Sequence, residues 1–298
     1  LQKRKSYSKT IIFVFFLWLI GLGSIFSLNV LSKSTDNNKN DNDPVVTTYA
    51  LVQMADTLHI NLKGIPTTSY SIPKRYNGVT KVGSPMSPNM EKIKKLNANQ
   101  VYAVTTLKDT LNEGFKSNGI NVTYVDLQNI DSLKSSLNSM AKKYGKQKYA
   151  DDYNAKLDRS VNKIKQDIKN NKPKKVLILF GMPGGSYLQA TSNSYIGSLV
   201  STTNNKVIES DTSGEYVSVN MEEVQKAKPD IVICLAHAMP DVVKKDFQTE
   251  FSSNQVWQQM PAFKNGKVFY LKEPLYSSTA NMNVIRALNG INKIVNGK

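Results

Sequence analysis

VGSPMSPNMEKIKKLNANQVYAVTT, residues 82–106, is the stretch from which the rest of the chain can be read. Its second half returns at residues 219–237 as VNMEEVQKAKPDIVICLAH. Asn89, Met90, Glu91, Lys95 and Val101 match Asn220, Met221, Glu222, Lys226 and Val232 at one constant offset of 131. Ile93 pairs with Val224, and Asn99 with Asp230. Each copy reads as a short helix, a tight turn and an apolar strand. A repeat of this kind predicts two similar lobes, each presenting one Glu at the same helix position.

The strands and helices around the two copies alternate. Val45 and Val46 form a first strand, and Leu51, Val52, Met54, Ala55 and Leu58 follow at helical spacing. Thr47 or Thr48 caps that helix, whose free N–H groups at a strand end suit an anion. Gly64 ends the helix region, and His59 near its end reads as a solvated surface residue. Residues 100–105 and 120–127 read as strands, and 107–118 and 131–144 as helices. Alternation implies parallel α/β sheets. Residues 148–170 break it, with Tyr149, Tyr153, Leu157, Val161, Ile164 and Ile168 marking one long helix. It separates the repeat copies and reads as a strut. The resulting division is 44–146 for the first lobe, 147–172 for the strut and 173–298 for the second lobe.

Ahead of the lobes, residues 11–31 carry no charge and follow a basic start (Lys3, Arg4, Lys5, Lys9). That length spans a bilayer, and the flanking charge keeps the N-terminus cytoplasmic. Residues 1–31 therefore read as an uncleaved anchor, with a signal peptide as the rival. Residues 32–43 (SKSTDNNKNDND) hold no apolar side chain and read as a flexible tether. Everything beyond lies on the outer face of the membrane.

The formal charge is +16, with the lysines spread over helices rather than massed with aromatic residues, so nucleic acid is not indicated. Cys234 is the single cysteine, which excludes an internal disulfide and a Cys-based zinc site. GMPGGSYLQAT after the strand KVLILF lacks the G-K-[ST] ending of a phosphate loop. It is not G-x-S-x-G either, and no pairing of acid and base points to an enzyme.

Two side chains stand out. Ser87 reads as a helix N-cap with Pro88 as the first helical residue, so Met86 sits just outside on a loop stiffened by Pro85 and Pro88. His237 stands at the carboxyl end of the second repeat's strand, where open α/β sheets bind ligands. Thr106 is its equivalent in the first copy. An imidazole and a thioether on opposite walls of a cleft suit the two axial positions of haem iron. Thr47, Thr48, Tyr70 and Ser71 are candidates for the haem propionates. A siderophore or cobalamin receptor is the alternative within binding proteins, and a chelatase-like enzyme a distant one.

From residue 45 onward the chain resembles the haem receptors of Isd-type iron-uptake ABC transporters, two-lobed binding proteins of class III whose lobes share one long helix. The resemblance rests on TTYAL, SYSIPKRYNGVTKVGSPMSPNME, KVLILFGMPGGSYLQAT, SYIGSLV, HAMPDVVKKDFQTEF and W-x₃-PAFKNGKVFYL from Trp257. It implies that Met86 and His237 ligate haem. It further implies that Glu91 and Glu222 dock the permease, with Glu223 as the fallback. The implied partners are haem, the permease with its ATPase, and surface haem donors. Such receptors are usually lipoproteins, and this chain lacks the lipid-bearing cysteine, which leaves anchoring to the apolar segment.

Overall fold

The computed structural model describes residues 42–236 and 238–297. The anchor expected at 1–31, and the tether up to residue 41, lie outside the described residues. Among the described residues no helix is long and apolar enough to cross a membrane.

The first half is built on a five-stranded, all-parallel sheet of β1 (Val45–Val46), β2 (Gly64–Ile65), β3 (Thr80–Lys81), β6 (Val101–Val104) and β7 (Val122–Val125), in the order β3-β2-β1-β6-β7. All four residues of β6, VYAV, are buried, as expected of a parallel strand covered on both faces. A separate hairpin, β4 (Gly83–Ser84) with β5 (Ser87–Pro88), precedes the first repeat helix. Gly64 does not end a helix. It lies in β2, where a Cβ would stand 2.8 Å from both Leu96 and Val82, so only glycine lets those side chains close over the strand. The chain turns after the first helix through His59 itself, at φ 52°.

The helices of this half are α1 (Tyr49–Thr57), α2 (Met90–Lys95), α3 (Lys108–Ser117) and α4 (Ile130–Lys143). A capping box starts α4: Asn129 Oδ1 accepts from Ser132 N (2.9 Å) and Ser132 Oγ accepts from Asn129 N (3.0 Å). Spacing puts Leu133, Leu137, Met140, Ala141 and Tyr144 on its inner face; the first four are buried, and Tyr144, just past the helix end, is half-buried. The strut is α5 (Gln147–Asp167), 21 residues, or about 32 Å at ~1.5 Å per residue. Leu157, Ile164 and Ile168 are buried along it. Tyr149, expected on the same stripe, instead lies exposed against the His59 ring, with centroids 4.4 Å apart.

The second half holds a six-stranded sheet of β8 (Lys175–Gly181), β9 (Tyr187–Ala190), β10 (Lys206–Val207), β11 (Tyr216–Ser218), β12 (Ile231–Ala236) and β13 (Val268–Tyr270). The stretch β10, β8, β12, β13 is parallel, but β9 runs antiparallel to both its neighbours, β8 and β11, so the sheet is mixed rather than wholly parallel. The cause is local. Gly184 and Gly185 take positive φ, Met182 N donates to Ser186 O (2.8 Å), and the chain returns beside β8 without a crossover helix.

Helices α6 (Tyr195–Thr202), α7 (Met221–Ala227), α8 (Pro240–Ser253), α9 (Gln255–Gln258), α10 (Pro261–Lys264) and α11 (Val284–Asn296) cover this sheet and the strut. Ser194, rather than Ser192, caps α6 by accepting from Gly197 N (3.1 Å). Trp257 is fully buried, and its Nε1 donates to Glu250 Oε1 (3.0 Å). The chain also returns to the first half after β13: Ala280 N donates to Leu127 O (2.7 Å), and the Tyr153 hydroxyl of α5 donates to Met282 O (3.0 Å).

Candidate functional site

The carboxyl ends of the two sheets carry the candidate residues. At the end of β1, Thr47 is buried and its hydroxyl donates to Tyr102 O (3.2 Å). Thr48 occupies the N-cap position of α1 in extended backbone, yet its hydroxyl makes no cap bond to the helix. That Oγ1 is buried without a hydrogen-bond partner. A buried hydroxyl left unsatisfied is costly, and a ligand oxygen at the start of α1 would satisfy it. Thr47 is already engaged by the backbone, so of the two threonines Thr48 is the better donor to such a group.

Tyr70 and Ser71 lie on the loop that follows β2. The Tyr49 ring packs on Tyr70 with centroids 5.0 Å apart, and the Tyr49 hydroxyl donates to Ser71 O (3.2 Å). Tyr70 donates its phenolic proton to Glu273 Oε2, on the segment after β13. Burial, and then the Glu273 carboxylate, hold the Tyr70 phenol well above its ordinary pKa. The Tyr216 hydroxyl donates to Ser278 O (3.4 Å), and its ring packs on Phe180 at 4.6 Å. Glu273, Tyr216 and Phe180 escaped the sequence reading. For Glu273 a signal existed: it stands just past VFYL, and the rule that sites gather beyond the carboxyl ends of parallel strands applies to β13 as well as β12.

Met86 sits at the two-residue tip of the β4–β5 hairpin, 53% exposed. The hairpin is tightly defined. Gly83 has φ 103°, and a Cβ there would meet Ser87 O at 2.8 Å and Asn89 N at 2.9 Å. Ser87 N also donates to Ser84 Oγ (3.2 Å). Ser87 is therefore not the N-cap of α2. Asn89 is, its Oδ1 accepting from Lys92 N (2.9 Å), because Ser87 and Pro88 are already committed to the hairpin. The staple positions fall on Pro88 and Ile93, both buried, which leaves Met86 outside that packing.

His237 falls outside the described residues. Its neighbours show the end of β12: Cys234 is buried in the strand, where burial pushes its thiol pKa up, and Ala236 closes it. Met239, with φ 47° and 59% exposed, precedes α8. Thr106, the equivalent of His237 in the first repeat, lies exposed just past β6.

The two repeat helices agree in detail. Asn220 caps α7 by accepting from Glu222 N (3.1 Å) and Glu223 N (3.4 Å), as Asn89 caps α2. Glu91 and Glu222 both occupy the second helical position and both are exposed. Glu223 differs: Asn220 Nδ2 donates to its Oε1 (2.9 Å). The repeat therefore selects Glu222 over Glu223 as the partner of Glu91.

Against this geometry, residues 45–275 match the model of the family described as periplasmic binding protein. The chain belongs to the periplasmic binding protein family. This periplasmic binding protein is 35% identical over 263 residues to the high-affinity heme uptake system protein IsdE of Staphylococcus aureus (strain Newman), across 86% of this chain and 88% of that one. Its fold superposes on that of S. aureus IsdE complexed with heme at a TM-score of 0.81, with 34% identity, covering 85% of this chain and 98% of the other. An ABC transporter substrate-binding protein from Listeria monocytogenes EGD-e matches equally well, at TM-score 0.81 and 34% identity, covering 86% of this chain and all of that one. The periplasmic binding protein thus has the class III fold, two α/β lobes joined by one long helix.

Proposed function

We propose that this periplasmic binding protein is the haem-capturing receptor of an ABC importer, working on the outer side of the membrane and handing haem to a permease and its ATPase. The similarity to a heme uptake protein whose heme complex shares the fold supports the class of ligand. The observation that carries the site is the presentation of Met86, an exposed thioether on a glycine-locked hairpin beyond the sheet ends.

In this reading Met86 supplies one axial ligand to haem iron and His237 the other. The walls of the cleft come from residues 44–146 and 173–298, with 147–172 connecting them. Thr48 meets a propionate at the start of α1, and Thr47, Tyr70 and Ser71 shape the rim around it. Glu91 and Glu222 engage cationic side chains of the permease. Residues 1–31 hold the receptor to the membrane, and a surface protein donates the haem. No bond in the ligand is made or broken.

Haemin titration of the full chain tests this. One equivalent binds with a low-spin spectrum, and the reduced form has the bands of a His/Met pair. His237→Ala weakens binding and alters the spectrum. Met86→Ala alters the spectrum with a smaller loss. Spectra unchanged in both variants would remove the axial assignment.

A further inference from the structure

We propose that Tyr70 and Glu273 form a clasp across the binding cleft that sets how fast haem leaves. The inference rests on the haem reading above and concerns residues that reading leaves without a kinetic role. The two residues are separated by 203 positions and come from opposite halves, one after β2 and the other after β13. Their contact joins a phenol donor to a carboxylate acceptor, the stronger class of neutral–charged hydrogen bond.

The first half of the clasp is held in place before it reaches across. Tyr49 packs on the Tyr70 ring at 5.0 Å, its hydroxyl fixes the backbone at Ser71, and Tyr70 N donates to Thr68 Oγ1 (3.1 Å). On the other side, Glu273 stands three residues past the end of β13, which is paired along its length with β12, and Leu271 between them donates its N–H to Cys234 O (2.9 Å). Neither residue is free to drift, so the contact reports the distance between the two halves at this edge of the cleft.

A flat macrocycle gripped by axial bonds can still slide out edgewise once the walls part. A bond between the walls has to open first, and its strength appears in the release rate rather than in the iron's coordination. A phenol is protonated throughout the neutral range, and burial followed by the Glu273 carboxylate raises the Tyr70 pKa further, so the donor is retained.

The test is haem transfer from the full chain to excess apomyoglobin, followed by absorbance. Tyr70→Phe and Glu273→Ala each release haem about tenfold faster. The double variant is no faster than either single one, and Glu273→Gln, which keeps an acceptor oxygen, loses less. The axial bands keep their positions, since neither side chain is an iron ligand. Release at the wild-type rate by both single variants overturns the clasp, as does a double variant whose acceleration is the product of the two. A shift of the axial bands overturns it as well, by placing Glu273 at the iron. Failure of the wild-type chain to take up haem overturns the proposed function and the clasp together, so the two failures are read from different proteins.

Discussion

Asn97 and Lys228, 131 positions apart, both leave their helix in left-handed backbone, at φ 45° and 52°. The internal repeat therefore extends beyond its matching letters to the turn that launches each central strand, β6 in one half and β12 in the other. Neither position carries the glycine that this conformation favours. Lys228→Gly is expected to stabilise the fold by about 0.5–1 kcal/mol, the steric relief exceeding the added freedom of the unfolded chain. Urea unfolding of the two proteins side by side measures the difference, and a less stable variant would contradict it.

Gly197 and Gly290 make a pair of contrasting substitutions. A Cβ at Gly197 would lie 1.9 Å from the carbonyl oxygen of Thr191, and at Gly290 2.0 Å from the Tyr276 hydroxyl. The carbonyl belongs to the turn that Ser194 fastens to α6, whereas the tyrosine tip ends a side chain that can swing aside. Gly197→Ala should cost at least about 3 kcal/mol, and Gly290→Ala clearly less. Thermal melts would reveal an inverted order if the backbone were the softer of the two.

Met86→Ala should leave stability within about 0.5 kcal/mol of the parent, because the side chain is half-exposed and takes no part in the α2 staple. The same variant should change the haem spectrum. A large drop in melting temperature would assign Met86 to packing instead.

Glu222 and Glu223 should separate transport from stability. Glu223→Ala removes the carboxylate that Asn220 contacts and should weaken the helix start by about 0.5 kcal/mol with little effect on uptake. Glu222→Ala, together with Glu91→Ala, should leave haem binding and stability intact and lower uptake by cells. Normal uptake in that double variant would end the docking assignment.

Glu215 carries a pH dependence. Burial raises its carboxyl pKa; the Gln128 hydrogen bond opposes this, and the Asp126 charge adds a smaller push upward. A carboxyl raised on folding contributes stability below its unfolded pKa and loses that contribution as pH climbs through the folded value. Glu215→Gln should therefore raise the melting temperature at pH 7.5 and have little effect near pH 4. Equal effects at both pH values would show that charge is not the cause.

Much of this was legible in the letters because it depends on local rules. The existence of the two repeat helices, the buried strands β6 and β12, the inner face of α4 and the long α5 all follow from spacing within one element. What escaped depends on partners far away in the chain. The two-residue strands β2 and β3 have no periodicity to detect, and Gly64 makes sense only once Leu96 and Val82 are seen closing on it. The Ser87-Pro88 pair fits two local roles, helix cap or hairpin strand, and only the pairing with Gly83–Ser84 decides between them. Glu273 and Tyr70 meet across two hundred residues, a relation that no short window contains.

The return of the chain after β13 has a mechanical consequence. Because Ala280 binds Leu127 and Met282 binds Tyr153, α5 is not the sole mooring between the halves. A protease nick within that helix would leave a second strap in place, and the two fragments should stay associated and elute as one species.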